Sequence, residues 1–186
     1  MNTRVLFVQG GGSHAHLEDQ GLAENLQQYL GPRYDVTFPQ MPDESNPNYA
    51  RWRDTIKASI AESKQPMAVV GHSLGGYMLL KYLAEKSHTA SIFAQCIIAA
   101  PFPSGDADWT FKGFELPTQL AERLGTAATF LYASEDDETV PYEHLDLYAT
   151  AIPTATARTT TGGHQLGNDL HLVAEDIRRT HNQKVK

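Results

Sequence analysis

Met67-Ala68-Val69-Val70-Gly71-His72-Ser73-Leu74-Gly75-Gly76 is a short apolar run, then a glycine-flanked serine, then a helical pattern carried by Tyr77, Leu80 and Leu83. The stretch fits G-x-S-x-G between a strand and a helix, the context that this motif requires. A turn this sharp forces its central residue into a strained backbone conformation, and side chains at the flanking positions would collide with neighbouring chain. The strain lifts the Ser73 hydroxyl above the carboxyl edge of the sheet. The Leu74 N–H opens the helix and faces the same space, where the helix N-terminus favours developing negative charge. The plainer reading is an ordinary strand-to-helix turn with a serine N-cap. It is outweighed because the strand before, the helix after and the extra Gly76 all agree.

Outward from this turn, short β-branched runs alternate with stretches of helical period, a pattern that argues for βαβ units and a parallel sheet. Strands are expected at Val5 to Val8, Tyr34 to Phe38, Met67 to Val70, Ile92 to Ala100, Thr129 to Tyr132 and Thr154 to Thr159. Helices are expected around Leu22, Leu26, Tyr29 and Leu30, stopped by Gly31-Pro32, and around Trp52, Ile56 and Ile60, closed off by Pro66. Two more follow, a short one near Thr118 to Leu124 and a last one on Leu170, Val173 and Ile177. The fold class is therefore α/β, a three-layer α/β/α arrangement with a six-stranded, mostly parallel sheet, in one domain over residues 1–186. Pro39 to Asn48 reads as a surface loop. Pro101 to Pro117 carries Phe102, Trp109, Phe111 and Phe114, which either line an apolar substrate wall or seal the edge of the core; without a large cap, this connection is a candidate minimal lid.

The 186 residues include 15 basic and 22 acidic ones, for a net charge of −7. With no basic patch, the chain is not expected to bind nucleic acid or anionic membrane. The single cysteine, Cys96, allows no internal disulfide and sits in an apolar run, as a buried, inert thiol would. No stretch approaches the roughly 20 apolar residues that span a bilayer, so a soluble cytoplasmic protein is expected.

A serine hydroxyl is a weak nucleophile that needs a base, itself oriented by a carboxylate. His144, His164, His171 and His181 follow Ser73 at useful distances. His164 stands out: Gly162-Gly163 lets a loop after the last strand bend its side chain over the sheet edge, whereas the other three are expected at the surface. The acid is expected in Glu135-Asp136-Asp137-Glu138, directly after the fifth strand. Asp137 is favoured because it stands three residues before Val140-Pro141, in a D-x-x-V-P pattern whose proline opens the next helix. Asp136 remains a substitute.

Ser73, Asp137 and His164, in that chain order, resemble the α/β-hydrolase superfamily, and the short length is similar to the small serine hydrolases related to retinoblastoma-binding protein nine. The likeness runs from Val5 to the last helix. It implies a sheet order near 2-1-3-4-5-6, without the two leading strands of larger members, and a serine hydrolase of the carboxylesterase type acting on small acyl substrates through an acyl-enzyme. Where many members carry His-Gly after the first strand, this chain has Gln9-Gly10-Gly11-Gly12. The oxyanion hole is expected from the N–H groups of Leu74 and of Gly11 or Gly12.

Other readings are weaker. Gly10-Gly11-Gly12-Ser13-His14-Ala15 also matches a dinucleotide-binding turn, but the acidic residue that should end the second strand is replaced by Phe38-Pro39. His14 and His16 are too few for a metal site. No cofactor or metal is therefore expected, and His72 reads as structural. A non-catalytic protein-binding module on the same scaffold is the remaining alternative, and its simplest signature would be a broken Ser-Asp-His set.

Overall fold

The computed structural model describes residues 2–85, 92–103, 105, 108–109 and 114–184. The strands are β1 (Thr3–Val8), β2 (Tyr34–Thr37), β3 (Met67–His72), β4 (Ile92–Ile98), β5 (Ala128–Ser134) and β6 (Thr156–Thr160). The helices are α1 (Ala15–Leu30), α2 (Tyr49–Ala61), α3 (Ser73–Glu85), α4 (Leu120–Arg123), α5 (Glu143–Ala151) and α6 (His171–Lys184), with a 3₁₀ turn at Leu166–Asn168. The sheet order is β2-β1-β3-β4-β5-β6, and each neighbouring pair is parallel.

The period-two alternation of the strands sorts the core into two layers. Leu6 and Val8 face Trp52, Ile56, Met78 and Leu145 on the side of α2, α3 and α5. Val5 and Phe7 face Leu22, Leu26, Val173 and Ile177 on the side of α1 and α6. Leu6, Leu22 and Leu26, fully removed from water, each contribute roughly 1.5–3 kcal/mol. Gly31 ends α1 with φ 78° and donates its N–H to the Gln27 carbonyl at 3.0 Å. Asn48 opens α2 by accepting the Arg51 N–H.

Some boundaries move for identifiable reasons. The fourth strand stops at Ile98 because Ala99 takes a left-handed φ of 47°. The sixth starts at Thr156, after a turn in which Ala155 donates to Ile152; it is an edge strand with mostly exposed side chains, so it carries little apolar signal. Residues 39–48 do more than cross the surface. Met41 is 1% exposed, and Trp52 donates its indole N–H to the Pro42 carbonyl at 2.9 Å. Of the 101–117 connection, Phe111 and residues 104, 106, 107, 110, 112 and 113 lie outside the described residues.

The strand order switches at β1, with β2 on one side of it and β3 on the other, and ligands in sheets of this kind bind at the carboxyl ends of the strands at such a switch point. Packing there is too close for side chains: a Cβ at Gly75 would stand 1.9 Å from the Gln9 carbonyl oxygen, and one at Gly71 would stand 2.6 Å from Gly76 Cα. Both obstacles are backbone and cannot swing away. Gly75→Ala is accordingly expected to destabilise the protein by about 3 kcal/mol or more, read from the denaturant midpoint; an unchanged midpoint would contradict this packing.

Candidate active site

Ser73 is the first residue of α3, is 7% exposed, and holds a φ of 52°. A non-glycine residue at this φ costs about 1–3 kcal/mol and persists only where its surroundings impose it. Here they do, because the flanking glycines press α3 against the end of β1. The glycine loop lies beside it: a Cβ at Gly10 would stand 3.2 Å from Ser73 Cβ, and one at Gly11 would stand 2.6 Å from Leu74 Cδ2.

The loop is held from two directions. Gly10 donates its N–H to Asp19 Oδ2 at 2.7 Å, and Gly12 donates its N–H to the Glu44 carbonyl at 2.7 Å. Gln9 strengthens the hold of the 39–48 segment by donating to Glu44 Oε2 at 2.6 Å and accepting the Met41 N–H at 2.9 Å. His16 stacks on Phe38 with ring centroids 4.2 Å apart and meets Gln9 Oε1 through Nδ1. The N–H of Gly12 is thus already committed.

Asp137 and His164 come together. His164 Nδ1 lies 2.8 Å from Asp137 Oδ2 and 3.1 Å from Oδ1, in a pair whose side chains are 13% and 1% exposed, respectively. Asp137 Oδ1 also accepts the N–H groups of Thr139 and Val140 at 2.8 and 2.9 Å, which is the physical content of the D-x-x-V-P spacing. Asp136 points elsewhere and accepts the N–H groups of Gly162 and Gly163, so it fastens the loop that carries His164. A proton on Nδ1 of His164, facing this carboxylate, leaves the lone pair on Nε2, the tautomer that a general base needs. No hydrogen bond joins the Ser73 hydroxyl to a described side chain in this conformation.

Burial opposes the charged form of Asp137, but the His164 hydrogen bond, the Val140 N–H, the His164 charge and the Thr139 N–H outweigh it and hold its pKa below the usual value. A depressed carboxyl pKa stabilises the fold above the unfolded-state value of about 3.9, and that stabilisation is lost as pH falls through the folded value. Urea midpoints are therefore expected to fall below about pH 4 in the native protein and to fall less steeply in Asp137→Asn. Parallel pH profiles for the two would remove this linkage.

Among the other histidines, His144 departs from expectation. It is 3% exposed, not on the surface, because α5 packs its ring inward, where Nδ1 accepts the Phe102 N–H at 2.9 Å. His171 is at the surface beside Asp169, and His181 is partly covered, stacked on Phe93 at 5.0 Å. Cys96 is fully buried, and burial raises its thiol pKa above the ordinary range. The expectation left one residue unmarked: Asp19, 1% exposed, meets the equally buried His72 at 2.9 Å.

Beside Leu74, the side chains of Tyr77, Pro101, Pro103, Trp109 and Phe114 line a small apolar hollow. Phe114 stacks on Tyr77 at 5.3 Å and Phe102 packs edge-on against Tyr148 at 4.9 Å. The aromatics of this connection thus divide between a wall beside the serine and the seal of the core. Among the described residues, no cluster of three or more His, Cys, Asp or Glu could hold a metal ion, and no helix is long and apolar enough to cross a membrane.

A comparison with curated proteins by sequence finds no match. Solved structures share the fold at low identity. The chain is similar to the ydeN gene product of B. subtilis, with a TM-score of 0.75 at 19% identity over 97% of this chain and 100% of that one. It is also similar to the thioesterase domain from the curacin biosynthetic pathway, with a TM-score of 0.70 at 16% identity over 96% and 91% of the two chains. The esterase domain from a Rhodothermus marinus protein aligns with a TM-score of 0.65 at 20% identity over 94% and 84%. The family model for serine hydrolases matches residues 22–175, most of the chain, and with the strained Ser73 at the sheet edge this protein belongs to the serine hydrolase family.

Proposed function

We propose that the protein cleaves small carboxylic esters or related acyl bonds through a Ser73-His164-Asp137 triad, as a single hydrolase domain without a large cap and without a cofactor. The observation that carries this reading is the bidentate approach of His164 Nδ1 to Asp137 in the loop beyond β6, at the same sheet edge as the strained Ser73. His164 Nε2 takes the hydroxyl proton as Ser73 Oγ attacks the carbonyl carbon. The oxygen that becomes anionic is held by the N–H groups of Leu74 and Gly11, a choice over Gly12 supported by the Glu44 carbonyl that accepts the Gly12 N–H. Collapse of the tetrahedral intermediate breaks the bond to the leaving group, which receives the proton from His164. Water, deprotonated by the same ring, then attacks the acyl-enzyme and frees Ser73. Asp137 stays ionised throughout and steadies the imidazolium.

The apolar hollow beside Leu74 supports an acyl or leaving group that is itself apolar and of modest size. A fluorophosphonate probe should label Ser73 in the folded protein, and p-nitrophenyl esters of graded acyl length should show a preference for short chains. A folded protein that is not labelled would end the enzyme reading. A preference for long acyl chains would end the assignment of the hollow.

A further inference from the structure

We infer that Asp19 and His72 form a buried imidazolium–carboxylate pair whose task is to set the position of the glycine loop and of the His164 loop around Ser73. This inference rests on the hydrolase reading for its kinetic consequence. Neither residue touches the reacting atoms; both are positioning residues.

The hydrogen-bond directions argue for the charged pair. His72 Nε2 lies 3.0 Å from the His164 carbonyl oxygen, which can only accept, so Nε2 carries a proton. Nδ1 lies 2.9 Å from Asp19 Oδ2. That oxygen also accepts the Gly10 N–H at 2.7 Å, and Oδ1 accepts from Gln165 Nε2 at 3.0 Å. A carboxylate surrounded by donors is ionised, so Nδ1 carries the second proton. Other ionisable groups face the ring: the Asp137 carboxylate beyond β5 adds attraction, and the His164 ring lies 4.8 Å away, centroid to centroid. Burial works against a charged His72, yet Asp19, the His164 carbonyl and Asp137 together raise its pKa. Burial likewise works against a charged Asp19, and His72, Gly10 and Gln165 together lower its pKa.

What the pair connects gives it a role. Gly10 immediately precedes the proposed oxyanion donor Gly11, His72 immediately precedes Ser73, and His164 is the proposed base with Gln165 beside it. The two side chains therefore tie α1 to three separate segments, each contributing one part of the site. A buried ion pair is poor evidence for net stability, because the desolvation of both charges offsets their attraction; its better-supported use is to select one arrangement over others. Nothing else among the described hydrogen bonds spans all three segments.

The test has a structural arm and a kinetic arm. In wild-type protein labelled with [15N]histidine, both ring nitrogens of His72 are expected to be protonated at neutral pH, and equally so in Ser73→Ala. A singly protonated ring at neutral pH overturns the pair, whatever the protein catalyses. In the kinetic arm, Asp19→Asn keeps the shape and removes the charge, while Gln165→Met loosens one bond at a half-covered position where folding is less at risk. With p-nitrophenyl acetate as substrate, kcat is expected to fall about 10- to 100-fold in Asp19→Asn and several-fold in Gln165→Met, with KM nearly constant, since small misplacements of reacting groups act at this scale. A purely structural pair would lower the melting temperature and leave kcat of the folded protein unchanged. Wild-type kcat in a folded Asp19→Asn, or in Gln165→Met if the first does not fold, overturns the positioning role. Failure of wild-type protein to react with a fluorophosphonate would instead remove the hydrolase reading, and the histidine spectrum would still decide the pair.

Discussion

Ser73→Ala is expected to yield a folded protein whose ester turnover is lower by about 10⁴-fold or more, the scale seen when the nucleophile of a triad is deleted. The variant is a clean one for physical reasons. The Ser73 hydroxyl is bonded to no described side chain, so its loss leaves no partner unsatisfied. Alanine carries the same Cβ as serine and meets the same strain at φ 52°, so the turn should keep its shape and the melting temperature should change little. What remains is the background from the oxyanion donors and from binding. Retention of most esterase activity in Ser73→Ala would remove the serine from the mechanism.

Asp137→Asn is expected to approach the same loss, about 10⁴-fold in kcat, while Asp136→Asn costs roughly tenfold. The difference follows from hydrogen-bond direction. In Asp137→Asn, the amide oxygen must stay on the Thr139 and Val140 N–H groups that Oδ1 accepts. Its NH₂ then faces His164 Nδ1 as a donor. That nitrogen must give up its proton, which moves to Nε2, and the base can no longer accept from Ser73. Asp136→Asn has no such consequence, because one oxygen suffices for both the Gly162 and Gly163 N–H groups. Equal kcat in the two variants, or the reverse order, would reassign the acid.

The sequence made the architecture legible where one physical rule acts alone. The glycines around Ser73 are dictated by backbone collision, and the strand-helix rhythm follows from burial on both faces of a parallel sheet. It was ambiguous where a choice depends on direction in space. Asp136 and Asp137 are adjacent and chemically alike, and only the turn after β5 sends one side chain to His164 and the other to the glycine N–H groups. Gly11 and Gly12 look alike in the sequence, and the acceptor that engages the Gly12 N–H is the carbonyl of Glu44, a residue in a loop with no periodicity. His144 is buried against the sequence expectation because a polar ring can leave water when a backbone N–H such as that of Phe102 meets it. The Asp19–His72 pair did leave a trace. Asp19 falls on the buried stripe of α1 with Ala15, Leu22, Ala23, Leu26 and Leu30, and a carboxylate on such a stripe calls for a buried partner.

The segments that meet at His72, next to Ser73, are far apart along the chain: Asp19 and His72 are 53 residues apart, and His72 and His164 are 92 apart. Closing loops of this length costs entropy before any contact repays it. With the proposed triad, reactivity is a late product of folding, acquired only when the carboxyl-terminal third of the chain has docked on the rest. A polypeptide emerging from synthesis carries Ser73 long before it carries His164, and on that proposal it holds a harmless alcohol through the interval.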